Sequence, residues 1–160
     1  MKAEWIKKPK VWIPTVIVAA SLGTLPFWLP DNKADKNDIT PDQVVIQFEN
    51  AQIQKDGVKI KELATPDYAK LLADLNNLSL NQGKQNNETL PDNWVAEEYR
   101  VNENLYVYHI KWVNELKVNV GGHYRVEKKN DKWQINYLPG NEFDLMIQGL
   151  TPRILKGTDH

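Results

Sequence analysis

Residues 11–30, VWIPTVIVAASLGTLPFWLP, contain no charged side chain, and they follow ten residues, MKAEWIKKPK, that hold four lysines. Twenty helical residues at 1.5 Å rise cover about 30 Å, the thickness of a bilayer's hydrocarbon core, whereas the apolar part of a cleaved export signal is usually about 7–15 residues. The length therefore predicts a transmembrane helix over 11–30. Trp12 and Trp28 stand near its ends, where indole rings favour the membrane interface, and Pro14, Pro26 and Pro30 leave the Val16–Leu25 centre clear. Lys2, Lys7, Lys8 and Lys10 precede the run, while DNKADKND after it mixes both signs. The positive-inside rule then makes residues 1–10 a cytoplasmic head and sends the rest of the chain outside, with Lys7, Lys8, Lys10, Trp12 and Trp28 at the membrane interface. The alternative is cleavage near Ala20, with Val18 and Ala20 as the small residues a signal peptidase needs. It would release a secreted protein that begins with the apolar stretch LGTLPFWLP. Both readings place residues 31–160 outside the cytoplasm.

Residues 31–38 are short, polar and charge-mixed, which predicts a solvated stalk, and the remaining 39–160 are long enough to bury one core. Beyond residue 30 there are 16 basic and 20 acidic side chains, a net of −4, a poor electrostatic match for nucleic acid. No cysteine is present, which removes disulfides, thiolate nucleophiles, cysteine-ligated metals and a lipid-modified cysteine after the apolar run.

Within 39–160 the hydrophobic period changes once. TPDQVVIQFENAQIQ predicts a helix with Thr40 as N-cap, Pro41 in the first turn, Gln43 closing a capping box and Val44, Val45, Phe48, Ala51 and Ile53 as its apolar stripe, ended by KDG at 55–57. VKIKEL reads as a short turn of helix feeding the next, ATPDYAKLLADLNNL, where Thr65 precedes Pro66 and Tyr68, Leu71, Leu72, Leu75 and Leu78 recur at helical spacing. The Asn- and Gln-rich segment 79–93 predicts a long, mobile loop. From Trp94 the pattern alternates, and WVAEEYRV, LYVYHIKWV, LKVNVGGHYRVEKK and KWQINYL read as four strands. A tight turn in KKNDKW would pair Tyr124 with Tyr137, Val126 with Ile135 and Lys128 with Trp133. Gly121 and Gly122 suggest a bulge, and the tail after Leu138 shows no sustained period. The fold class expected is α+β: a transmembrane helix, then two to three helices packed on a curved antiparallel sheet of about four strands.

TPDQVVIQFENAQIQKDGVKIKELATPDY and HYRVEKKNDKWQINYL resemble the opening helices and the last hairpin of small exported members of the nuclear-transport-factor-2-like superfamily, in the broader cystatin-like class. The resemblance covers about 45 of the domain's residues and implies a conical half-barrel with a pocket between sheet and helices. A cytoplasmic head, one span and an exported domain of this type is also the layout of scaffold proteins of conjugation and type IV secretion machines, and of non-catalytic domains attached to cell-wall enzymes. Enzymes of the superfamily can use a pocket His or Asp as general base, which makes His109 the best catalytic candidate here.

Sequence motifs for chemistry are sparse. Of the three histidines, His109, His123 and His160, the first two have no carboxylate or histidine at metal-ligand spacing near either, Glu97 and Glu98 are adjacent and so face opposite sides of a strand, and no nucleophile elbow, phosphate loop or dinucleotide fingerprint occurs. Asn77-Leu78-Ser79 and Asn87-Glu88-Thr89 match a glycosylation sequon, a pattern that arises by chance in Asn-rich sequence. Aromatic residues are the richer set: Tyr106, Tyr108 and Trp112 share one strand face, opposite Val107 and His109. The expectation is a membrane-tethered extracytoplasmic binding or scaffold domain without catalysis, within a cell-envelope or conjugation/secretion assembly. It would meet lipid through residues 11–30 and an envelope protein or a second copy through Tyr106, Tyr108 and Trp112, with no cofactor, metal or nucleic acid. The alternative is a binder of small apolar ligands, or a pocket enzyme with His109 as general base.

Overall fold

The computed structural model describes residues 39–114 and 116–157, and the expected span, its interface residues and the stalk lie outside these. The chain divides into two units at the Asp38–Ile39 junction, and the second is the one described. Among the described residues no helix is long and apolar enough to cross a membrane.

Thr40 and Pro41 start the first helix, α1 (Pro41–Ile53), as their sequence demands: Thr40 is extended, and the Gln43 side chain turns back so that its Oε1 accepts from the Thr40 amide at 3.0 Å. Val44, Val45, Phe48 and Ala51 form the buried stripe. Asp56 then caps α2 (Gly57–Leu63) by accepting from the Lys59 amide at 3.0 Å. The short connection between α1 and α2 brings Gly57 against the Ser79 backbone, where a Cβ would fall on the Ser79 carbonyl oxygen.

The third helix, α3 (Pro66–Asn76), begins at Thr65 and ends with Asn77 in the left-handed region, at φ 49°. Its buried stripe is Tyr68, Ala69 and Leu72, which corrects the expected one: Leu71 and Leu75 are 47% and 73% exposed. The helix packs through one narrow side, and Ala69, not Leu71 or Leu75, is the residue that allows the close approach. Thr65 does not cap with its side chain. Its amide donates instead to the Ile135 carbonyl at 2.9 Å, and Ala64 bridges Ile135 in parallel, so the α2–α3 corner covers a sheet edge.

Among the described residues there are five strands where about four were expected: β1 (Val95–Asn102), β2 (Leu105–Val113), β3 (Asn119–Lys129), β4 (Lys132–Tyr137) and β5 (Arg153–Lys156). They form one antiparallel sheet in the order β4-β3-β2-β1-β5. The β3–β4 hairpin has the expected register, with Tyr124 opposite Tyr137, Val126 opposite Ile135 and Lys128 opposite Trp133. No bulge occurs at Gly121 and Gly122, because β2 and β3 pair without a break through both; the one shift lies between Arg100 and Asn102. Gly121, at φ 153°, meets a different need, since a Cβ there would fall on the Ile110 carbonyl oxygen.

Because β4 and β5 lie on opposite edges, the segment joining them must cross the sheet. It does so on the outer face, carrying a fourth helix, α4 (Gly140–Met146), that plants Phe143 against Tyr99, Val107 and Leu138. Helices α1 to α3 cover the inner face, where Phe48, Tyr68, Tyr108, Ile110, Tyr124, Val126 and Ile135 build the main core. The 79–93 loop is strapped to the C-terminal end of α1 rather than standing free. The Gln85 amide donates to the Gln54 carbonyl, the Asn86 side chain to the Ile53 carbonyl, and the amide of buried Leu90 to Asn50 Oδ1 at 2.7 Å. The first two bonds satisfy carbonyls that the helix end leaves open.

Candidate functional site

Antiparallel register places Arg153, Glu98, Tyr108, Tyr124 and Tyr137 side by side on all five strands, in one polar row across the inner face of the sheet. The helices close over it with Asp42, Glu49 and Gln52 from α1 and Tyr68 from α3. At one end, buried Glu98 accepts from the Tyr108 hydroxyl at 2.6 Å and from Arg153 Nε and Nη2, both at 2.8 Å, with Asp42 Oδ2 3.8 Å from the same guanidinium. That carboxylate is fully used.

The other half of the row is not. Glu49 is 1% exposed, and its Oε2 accepts from Gln52 Nε2 at 3.3 Å while Oε1 has no hydrogen-bond partner. Gln52 Nε2 also reaches the Tyr124 hydroxyl, at 3.4 Å. Burial pushes the Glu49 carboxyl up to about 7, against a smaller opposing pull from Tyr124. Burial and then the Glu49 charge likewise hold the Tyr68 and Tyr124 hydroxyls protonated, well above the ordinary tyrosine range.

A cleft of about 280 Å³ leads to this group between α1, α2, α3 and the loop. Ile60, Leu72 and Leu78 give it apolar walls, Lys55, Asn76, Asn77 and Gln85 line it with polar groups, and Gln52 stands between the cleft and Glu49. The arrangement suits a small molecule with an apolar body and a hydrogen-bonding end. Gln52, whose amide nitrogen is shared between Glu49 and the Tyr124 hydroxyl, is the group that such an end would meet.

On the outer face a second row forms. Glu97, His109 and His123 are neighbours on β1, β2 and β3, with His109 Nδ1 3.5 Å from Glu97 Oε2 and the two imidazole centroids 4.5 Å apart. The Tyr99 hydroxyl donates to Glu97 Oε2 at 3.1 Å. An open groove beside the row is lined by Lys111, Asn119, Gly121, Gly122 and Tyr137. Burial, then the neighbouring His109, lowers the His123 pKa below the usual histidine value, with Asp144 and Glu97 pulling weakly the other way. Among the described residues no three His, Cys, Asp or Glu side chains are placed to hold a metal ion.

The sequence-predicted residues thus separate. His109 stands half-buried on the outer face, away from the cleft, whereas Tyr108 and Trp112 are 0% and 8% exposed beneath the helices and Tyr106 packs on Trp133 at that core's margin. The aromatic face expected to meet a partner is the face the helices cover, because the apolar stripes of α1 and α3 have no other surface to pack against. Sequence reasoning missed Glu49, which sits within the apolar stripe of α1, and missed the meeting of His109 with His123. The signal for the second was present: each lies seven residues from Leu116, the midpoint of the β2–β3 hairpin, so pairing symmetric about that turn must set them face to face. No family model, curated protein or solved structure matches this chain.

Proposed function

We propose that residues 39–160 are the extracytoplasmic, non-catalytic binding domain of a single-pass membrane protein, and that the domain takes a small molecule in the cleft between α1, α2 and α3. One observation carries this reading: a cleft with both apolar and polar walls includes Gln52, whose amide bonds a buried carboxyl that keeps one oxygen unpaired. The pocket between helices and sheet that the nuclear-transport-factor-2-like resemblance implies is consistent with it. The uncharged run at 11–30, with lysines before it, supports the anchor. Tethering then raises the domain's effective concentration beside other envelope components, so moderate affinity is sufficient.

The test is a thermal-shift screen of the purified full chain in detergent micelles against small molecules that combine an apolar body with one hydroxyl, amide or amine. Binders should raise the midpoint by several degrees, and Gln52→Leu, folded as judged by circular dichroism, should abolish the shift. An equal shift in Gln52→Leu, or no shift across the set, sinks the reading. Membrane anchoring is checked separately by alkaline carbonate extraction, which an anchored chain resists.

A second reading rests on α3. Leu71 and Leu75, four residues apart, make an exposed apolar pair on one helix side, a surface that suits an envelope protein or a second copy. Chemical cross-linking in intact cells, compared between wild type and Leu71→Lys/Leu75→Lys, tests it, and an unchanged cross-link pattern removes it.

A further inference from the structure

The segment that crosses the outer face is held by a small apolar cluster, in which Phe143 and Leu138 meet Tyr99 and Val107 and the half-buried Met146, Ile147 and Leu150 pack against them. Of the seven residues in α4 only Phe143 is buried, and its ring lies on the two histidines: stacked on His123 at 4.3 Å with 22° between planes, and edge-on to His109 at 5.8 Å. The imidazoles touch each other at a 4.5 Å centroid distance. The Leu138 amide donates to the His123 carbonyl at 3.0 Å, so the start of the crossing segment is tied to the same residue.

We propose that the His109–His123–Phe143 stack is an acid-sensitive latch, which holds α4 on the sheet while at most one imidazole is protonated and releases it when both are.

The groups facing the stack are few. β1 contributes Glu97 and Tyr99, β2 contributes Lys111 near His109, and α4 contributes Asp144. Glu97 Oε2 is 3.5 Å from His109 Nδ1, close enough to pair with that imidazole when it is charged. A proton on His123 must sit against the His109 ring and under the Phe143 ring, at a half-buried position. Both burial and His109 oppose it, and they outweigh Asp144 and Glu97. A histidine whose pKa is lowered in the docked state binds fewer protons there than when released. The docked state is therefore favoured above the ordinary histidine pKa and weakens as pH falls through and below it. Release would uncover Tyr99, Val107 and Leu138, the apolar patch that Phe143 now covers.

Hydrogen–deuterium exchange of the full chain in detergent micelles, at pH 7.5 and pH 5.0 and corrected for the intrinsic pH dependence of exchange, tests the latch. Peptides spanning 138–150 should lose protection several-fold at pH 5.0, while the β2–β3 hairpin keeps its own. In His123→Gln the loss should disappear. Equal loss in wild type and His123→Gln, or protection of 138–150 that does not change with pH, overturns the proposal. Should His123→Gln fail to fold, His109→Gln takes its place with the same expectation. Imidazole titration by NMR is the independent measurement: a His123 pKa at or above the ordinary histidine value would also overturn it.

Discussion

Tyr108 and Glu98 face each other on β2 and β1 and share a 2.6 Å hydrogen bond in the interior, the shortest link in the row that Arg153 completes from β5. Tyr108→Phe removes one donor and leaves Glu98 with its guanidinium, so a destabilisation of about 2 kcal/mol is expected from a hydrogen bond to a charged group. Glu98→Ala strands the buried Tyr108 hydroxyl and takes from Arg153 the carboxylate that accepts both its bonds, and should cost about 3 kcal/mol or more. Urea unfolding of both variants checks the order, which reverses if the tyrosine donates elsewhere.

Glu49 gives the protein a pH dependence of the opposite sense to ordinary acid unfolding. Its pKa is raised from 4.5 to about 7 on folding. The folded state therefore binds the proton more tightly than the unfolded state: this contribution is fully present below pH 4.5 and is lost as pH rises through about 7. Glu49→Gln, which stays neutral, should be more stable than wild type at pH 8 by up to about 3 kcal/mol, with the difference shrinking toward pH 5. Thermal melts of both proteins at several pH values measure it; a difference independent of pH would mean that the carboxyl is not the titrating group.

Trp112 is 8% exposed and belongs to the core cluster with Phe48, Tyr108 and Tyr124. Trp112→Ala should destabilise by about 3–5 kcal/mol through the cavity it leaves. Denaturant melts decide between this and the partner-surface role, for which the stability would hardly change.

Gly57→Ala places a methyl group on the Ser79 carbonyl oxygen, backbone against backbone, with no flexible side chain to yield. A loss of about 1–3 kcal/mol is expected, together with faster proteolysis in the 79–93 loop, whose Gln82 carbonyl accepts from the neighbouring Val58 amide. Limited trypsin digestion, which can cut at Lys84, reports the second effect.

The elements legible in the sequence were those with local signals. Thr40–Pro41 and Thr65–Pro66 mark two helix starts because capping is decided within four residues, and the Asn130–Asp131 turn fixes the β3–β4 register because both strands alternate cleanly around it. The fifth strand was hidden because RILK is four residues with no alternation, and it becomes a strand only by pairing with β1, 55 residues earlier at Arg153 and Glu98. Which sheet face would be covered also stayed open, since β2 carries Tyr106, Tyr108, Ile110 and Trp112 on one side and Val107 and His109 on the other. The candidate site was the least legible part: Glu49 shares its helix with the core-forming Phe48, and nothing short of the packed structure shows that its Oε1 lacks a partner.

The α2–α3 corner bonded to Ile135 and the brevity of β5, with Arg153 and Lys156 at its ends, concern crowding as much as folding. A sheet with a long bare margin recruits a neighbour's strand, and copies confined to one plane would collide in similar orientations far more often than in solution. Here one margin is bonded at Ile135 by the protein's own backbone and the other offers only four residues. Such a domain can be held at high surface density without its sheets fusing edge to edge into fibrous aggregates.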